Sequence, residues 1–400
     1  MKKLAAKTSK IKLIRARRSS TGEKDDRLTT EENTAVETKK RGKVPSDNPD
    51  KKKKKVKRPS PEQEKAMVEF ANTVLTLEHT GIINEFNEKV SKIVPEKEKC
   101  SVFYANMELN RNQKTPILNE TRVELEGAPP TYVNASRVKM KHTTKAFIAA
   151  QLPVTDHVEE FWRMIFQENC TYLLVLCNQF DSSENYTQMM PVDVGDYRHF
   201  GTMFVNIRKV EKHSRDKVTE VRKDEKPKQE PSDDKNSKNR ASDAPPEASW
   251  LTYTVEVLPD GCSNSLITKV VLYQNWEKGA APPHLRHISA FAVRLLDTKE
   301  IGTSCVISVD GVGRAGVQLA TTAATVIIEN GLTPNIFEIV TDLRSQRACS
   351  VENSLQYATI YQCIMAYIGA KLKDISTHNQ LREKMEAFNK KWSPELFLKS

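Results

Sequence analysis

Apolar residues are sparse up to residue 58 and become periodic immediately after it. From Glu62 to Val90 they recur at helical spacing (Met67, Phe70, Val74, Leu75, Leu77), which predicts one or two amphipathic helices. Beyond Arg111, short apolar runs alternate with amphipathic stretches. Phe147–Ala150, Tyr172–Cys177, Gly201–Val210, Trp250–Leu258, Ile267–Tyr273 and Cys305–Val309 read as strands. Val158–Gln167, Pro283–Leu296, Ala315–Asn330, Ile336–Gln346 and Ser354–Leu372 read as helices. No apolar run approaches the ~20 residues that cross a bilayer, and the amino terminus lacks the apolar core of a signal peptide.

Two stretches break this pattern. Residues 1–58 hold too few large apolar side chains to offset the entropy of ordering, so they read as a disordered basic tail ahead of a domain over 59–400. Residues 211–248, rich in Lys, Asp, Ser and Pro, interrupt two strand patterns and read as a disordered insertion.

Charge sharpens the division. The chain carries 62 basic and 52 acidic residues, a net charge of +10. Residues 1–58 hold 21 basic and 8 acidic residues, a net +13, which leaves the remainder at −3. The high pI belongs to the tail, and the body need not bind nucleic acid; weak contact through the tail is the most expected of it. The run Lys51 to Lys55, with Lys57 and Arg58, has the form of a nuclear-import signal. A solvated arm, or one drawn to membrane surfaces or RNA, reads equally well, though the tail has no aromatic residue for base stacking. The seven cysteines (100, 170, 177, 262, 305, 349 and 363) are scattered, and none has zinc-ligand spacing. They read as free thiols of a reducing compartment, cytoplasmic or nuclear, in a protein expected to need no metal or cofactor.

The most informative string is Cys305-Val306-Ile307-Ser308-Val309-Asp310-Gly311-Val312-Gly313-Arg314-Ala315-Gly316, a buried-strand pattern, a glycine-rich turn and the start of a helix. Gly311, Gly313 and Gly316 match a dinucleotide fingerprint. The turn comes late in the chain, however, and no acidic residue ends a following strand at the right distance. Alternatively, Arg314 lies six positions after Ser308, so that backbone N–H groups and one guanidinium converge as a dianion cradle.

That string resembles the signature loop of protein tyrosine phosphatases: His-Cys, five residues including Gly-Val-Gly, Arg, Ser or Thr, Gly. Other segments resemble the family in order: Asn110-Arg111, Arg122-Val123, Tyr132-Val133-Asn134-Ala135-Ser136, Phe147-Ile148-Ala149-Ala150-Gln151-Leu152-Pro153, Phe161-Trp162-Arg163-Met164, Trp276, Gln346-Arg347 and Gln356-Tyr357. The resemblance covers roughly residues 62–390. It implies an α/β fold, a twisted mixed β-sheet flanked by helices. It also implies a phosphate-binding site at Ser308, Val309, Asp310, Gly311, Val312, Gly313, Arg314 and Gln356.

The same resemblance marks what is missing. The family's nucleophilic cysteine is Ser308, and the histidine before it is Ile307. A serine hydroxyl does not ionise near neutral pH, and no histidine lies in the loop to take its proton. Cys305 lies three strand residues upstream, about 10 Å away at ~3.3 Å per residue. The general acid of the family's Trp-Pro-Asp loop is Lys278, a change that typically costs ~100- to 10,000-fold alone. Glu277 is one residue off register, Ala315 replaces the signature hydroxyl, and Glu352 replaces the first of two glutamines. Asn112 and Lys114 stand where the family has an aromatic that stacks on phosphotyrosine and an aspartate that clamps the peptide. Asp310 puts a carboxylate where phosphate approaches.

The expectation is therefore a catalytically inactive relative that binds a protein partner, phosphorylated on tyrosine or acidic. The alternative is an adaptor whose cleft binds nothing and whose tail and insertion carry the interactions; residual phosphatase activity ranks third. Lys278 and Asp310, unusual and of opposite sign, read either as independent drift in a site freed of catalytic constraint or as an ion pair that forms when the mobile loop closes, with Arg314 sharing the carboxylate.

Overall fold

The computed structural model describes residues 58–127, 129–178, 185–214, 218–221, 250–297 and 302–391. The basic tail before Arg58 and most of the hydrophilic insertion lie outside them. In chain order the elements are α1 (Pro61–Glu88), α2 (Ser101–Tyr104), β1 (Arg122–Glu124), β2 (Tyr132–Val138), β3 (Phe147–Gln151), α3 (Val158–Gln167), β4 (Cys170–Leu176), β5 (Tyr197–Phe200), β6 (Met203–His213), β7 (Val218–Val221), β8 (Trp250–Pro259), β9 (Leu266–Tyr273), α4 (Leu285–Leu295), β10 (Thr303–Ser308), α5 (Gly313–Glu329), α6 (Ile336–Arg344), α7 (Ser354–Lys371) and α8 (Asn379–Lys390). No helix among the described residues is long and apolar enough to cross a membrane.

The first described helix begins close to where the apolar periodicity does. Ser60 caps α1 by accepting from the Gln63 amide, the Gln63 side chain answers the Ser60 N–H, and Pro61 takes the first helical position. The helix is broken at Glu78, whose φ of 54° lies in the left-handed region, so the periodic stretch holds two helical segments.

Ten strands form one mixed sheet in the order β1-β2-β3-β10-β4-β9-β8-β6-β5, with β7 also paired to β6. β10 lies between β3 and β4 and runs parallel to both. Its side chains alternate between faces, as a two-sided strand requires. Val306 joins the core formed with α1 and α4 to α8, whereas Cys305 and Ile307 join the opposite core, which includes α3. The strand is thus buried on both sides, and its carboxyl end delivers Ser308 to the start of the loop, between the ends of β3 and β4.

Three differences from the sequence reading have physical causes. β6 continues to His213 and pairs with β7, so residues 211–213 and 218–221 of the predicted insertion are paired strand. All four β7 residues are exposed and are held by backbone pairing, which leaves no apolar periodicity to detect. The helix α8 buries only Met385 and Phe388, too few to stand out. Val309 lies beyond the end of β10, because the chain turns there into the loop.

The loop after β10 is tied down by Arg347, which is fully buried. Its guanidinium donates to the carbonyls of Asp310 (3.0 Å) and Gly311 (3.2 Å) and to Asn134 Oδ1 (2.6 Å) and Ser136 Oγ (3.3 Å) on β2. Burial pushes its pKa down to about 10, so it remains a cation at neutral pH. Arg347→Met should destabilise the fold by about 3–5 kcal/mol, because it strips two carbonyls and two side chains of a charged donor. Urea unfolding of the two proteins side by side measures this difference.

Candidate functional site

The turn from β10 to α5 is shaped by close approach. Gly311 has φ +69°, and a Cβ there would lie 2.6 Å from the Ala150 backbone and from the Arg347 guanidinium. A Cβ on Gly316 would meet the Val351 amide at 2.7 Å, so α5 enters directly against the chain leading to α7. The Ser308 carbonyl accepts from Leu152 N (2.8 Å) and Gly311 N (3.1 Å), which fixes the loop against the end of β3.

The sequence motifs converge here. Arg111 donates to the carbonyls of Leu152 (2.6 Å) and Pro153 (2.8 Å), and its own amide donates to Gln151 Oε1 (3.1 Å). Asn110 Oδ1 accepts from Tyr132 Oη (2.6 Å) and Asn134 Nδ2 (2.7 Å). Asn110, Asn134, Gln151 and Arg347 are buried, so these polar residues form a satisfied frame beneath the loop.

The mouth of the loop is crossed by Asp310, only 4% exposed. Its Oδ2 lies 2.7 Å from Lys278 Nζ and accepts from Asn112 Nδ2 at 3.1 Å. Its Oδ1 has no hydrogen-bond partner. One carboxylate oxygen therefore joins the loop, the segment around Asn112 and the segment around Lys278. Arg314, also buried, donates from Nη1 to the Trp276 carbonyl at 2.5 Å. Asn353 donates to the Gly279 carbonyl at 3.2 Å while it caps α7 by accepting from Gln356 N. The 276–279 segment is thus held over the loop from three elements, and Trp276 itself is fully buried, its indole N–H on the Ala280 carbonyl.

The functional groups are set as follows. Ser308 ends β10 and is buried. Cys305 is enclosed in the sheet, and burial pushes its thiol far above the usual range, so it supplies no thiolate. Gln356 does not reach outward: its amide accepts from Glu352 N (2.8 Å) and donates to Glu352 Oε2 (3.3 Å). The Glu352 carboxylate overhangs the loop, within 2.1 Å of where a Gly313 Cβ would be. Burial, with the Asp310 carboxylate adding to it against the Gln356 hydrogen bond, raises the Glu352 pKa above the usual carboxylate range. Lys278 keeps 48% of its side chain exposed, and Lys114 is exposed. The sequence did not point to Asn353, an ordinary cap residue by its context, or to the bridging role of Asn112.

A sequence profile described as protein-tyrosine phosphatase matches residues 106–366, which include the loop, the Trp276 segment and Arg347. The Caenorhabditis elegans protein C15H7.3, whose name places it among the tyrosine-protein phosphatases, is 25% identical over 286 residues, 71% of this chain and 61% of that protein. Tyrosine-protein phosphatase non-receptor type 20 of Rattus norvegicus is 24% identical over 294 residues, 72% of this chain and 61% of that protein. The chain therefore spans about three fifths of the length of these relatives. A solved structure from a study titled for the PTPN18 fingerprint on distinct HER2 tyrosine phosphorylation sites shares the fold. Its TM-score is 0.55 at 18% identity, over 76% of this chain and 99% of that one.

Two measurements test the geometry. A double-mutant cycle on Lys278→Ala and Asp310→Ala should return a coupling of about 1 kcal/mol, at the upper end for a half-exposed pair because the carboxylate is shielded. Coupling indistinguishable from zero would reduce the contact to a coincidence of placement. The second measurement concerns Glu352. Its raised pKa means that the folded protein holds the proton more tightly than the unfolded chain, so the ionised form opposes folding. That cost is complete above the folded-state pKa and vanishes below the unfolded one. Glu352→Gln should accordingly raise Tm at neutral pH, and the gain should fade as pH falls through the Glu352 folded-state pKa toward the ordinary carboxylate range.

Proposed function

The chain belongs to the protein-tyrosine phosphatase family, and we propose that within it this protein is a non-catalytic, protein-binding member whose cleft is closed by its own side chains. The observation that carries this reading is the Asp310 bridge, with Lys278 at 2.7 Å on one side and Asn112 at 3.1 Å on the other.

Each requirement of phosphoryl transfer has a physical counterargument at this site. A nucleophile must be an anion or have a base beside it, and Ser308 is a hydroxyl in a loop without histidine. A leaving phenolate needs a proton donor, and the lid offers the Lys278 ammonium already bound to a carboxylate. An incoming phosphate dianion would meet Asp310 and Glu352 at close range, which costs several kcal/mol in a shielded site. Arg314, with Nη1 on the Trp276 carbonyl, and the glycines would offset part of that cost.

A second reading, capture of a phosphotyrosine or acidic segment without hydrolysis, is favoured by one observation: Arg314 stays at the first turn of α5, beside the glycine turn, as an anion cradle requires. The site would then comprise Ser308 to Arg314 with Gln356, and entry would require the Lys278–Asp310 pair to break. In both readings the partner is a protein of the cytoplasm or nucleus.

The purified protein should leave phosphotyrosine peptides and a small aryl phosphate unhydrolysed above background, and Ser308→Ala should change nothing. Turnover abolished by Ser308→Ala would overturn the proposal. Restoring the family residues through Ser308→Cys with Lys278→Asp should still yield an enzyme at least about 100-fold weaker than an intact family member, because Asp310, Asn112 and Glu352 remain and groups that act as a unit are not additive. Titration with a phosphotyrosine peptide separates the two readings: no binding by the natural chain, with binding gained in Asp310→Ala, favours the closed cleft.

A further inference from the structure

Against the middle and carboxyl-terminal part of α5 lies a cavity of about 360 Å³, within the size range of ligand pockets. Its floor is apolar: Ala320, Ala323 and Ile327 of α5, Ile339 and Leu343 of α6, and Met140 from the β2–β3 turn. Two of the four α5 residues that line it, Ala320 and Ala323, are alanines, which leaves the space open. Leu332, 45% exposed, forms an apolar lip, one of few large apolar side chains this open to water among the described residues. The rim is charged with opposite signs on opposite walls. Lys139, Lys141 and His142 stand on the turn; Glu338 and Asp342 stand on α6. The Gln346 amide closes one end, donating to the Lys139 carbonyl (3.0 Å) and Asp342 Oδ2 (3.3 Å) while Lys139 N donates to Gln346 Oε1 (2.7 Å).

An apolar floor, an apolar lip and two walls of opposite charge select one kind of occupant. A lipid or hydrocarbon would leave both charged walls unmatched, and a dianion would meet Glu338 and Asp342. A peptide segment satisfies all three when it inserts a bulky apolar side chain, turns an acidic neighbour toward Lys139, Lys141 and His142, and turns a basic neighbour toward Glu338 and Asp342. Resting on the reading of this chain as a protein-binding module, we propose that this cavity is the anchor pocket for a partner segment with a bulky apolar residue between an acidic and a basic one. The pocket also abuts the closed cleft through rigid elements. Its floor helix α5 begins at Gly313 and Arg314, and Gln346 on its wall precedes Arg347, which holds the loop.

The probe is the pentapeptide acetyl-Gly-Asp-Trp-Lys-Gly-amide, titrated into the methyl-labelled full chain and followed by NMR. Its controls are versions with Ser for Trp and with Ser for both charged residues. The Ile327, Ile339 and Leu343 methyl signals should move in a saturable way. The Trp-less peptide should bind at least tenfold more weakly and the uncharged one severalfold more weakly. Ala323→Trp, which fills the cavity, should abolish the shifts. Leu332→Ser, a surface change that leaves the core intact, should weaken binding severalfold and keeps the test open if Ala323→Trp does not fold. Lys278→Ala should leave binding unchanged. No methyl shifts at millimolar peptide, shifts that persist in both pocket variants, or shifts caused by decanoate but not by the peptide would each overturn the inference. Absent peptide binding together with absent phosphatase turnover would sink this pocket alone; turnover together with peptide binding would sink the non-catalytic reading alone.

Discussion

A buried guanidinium fixes the centre of this molecule. Arg347 is fully enclosed, and a cation taken out of water is tolerable only if its donors are met. Here they are met by two carbonyls of the loop after β10 and by Asn134 and Ser136 of β2. The exchange is mutual. The loop carbonyls, which have no strand or helix to pair with, gain a charged donor, and the arginine gains a cage. Gly311 must then lack a side chain, because the space its Cβ would occupy is already filled by this guanidinium and the Ala150 backbone. The conformation of the loop is thus maintained by groups that need no bound anion.

Much of that frame was legible in the sequence because its members sit in segments that resemble the family's motifs. Asn110-Arg111, Tyr132 to Ser136, Gln151 and Gln346-Arg347 stand out as motifs, and all but Gln346 meet around the loop. The ion pair of Lys278 and Asp310 was legible for a similar reason, since two unusual charges of opposite sign fell at positions that a closing lid brings together, and they lie 2.7 Å apart. What escaped detection lacked such contrast. Asn112 reads as a lost aromatic, and only the folded chain shows its amide on Asp310. The Arg314 Nη1 bond to the Trp276 carbonyl was not foreseen, because a backbone acceptor carries no signature in sequence. β7 is a strand by pairing alone, with every residue exposed.

The substitutions in the cleft form a set when placed on the structure. Lys278, Asp310 and Asn112 are linked through one oxygen, and Glu352 and Gln356 are linked to each other through both ends of the amide. Groups that would face a ligand in an open cradle are turned onto one another. Such contacts resist a visiting phosphate twice over, because they occupy the donors and because they leave carboxylates facing it. The arrangement has a cost of its own, since Asp310 Oδ1 is buried without a partner and Glu352 is held above its usual pKa. Local strain of this kind is tolerable where the surrounding frame, here the Arg347 network, over-determines the geometry.

The placement of Cys305 has a consequence for how the molecule meets oxidants. Peroxide attacks thiolates, and its selectivity among cysteines follows ionisation and access. In this cleft the loop presents a hydroxyl, and the nearest thiol along the strand is enclosed between parallel neighbours and kept protonated by burial. Sulfenic acid chemistry therefore has no starting point at Ser308 or Cys305. A phosphatase that works through a thiolate can be silenced by a burst of peroxide, whereas this loop offers peroxide no thiolate to attack.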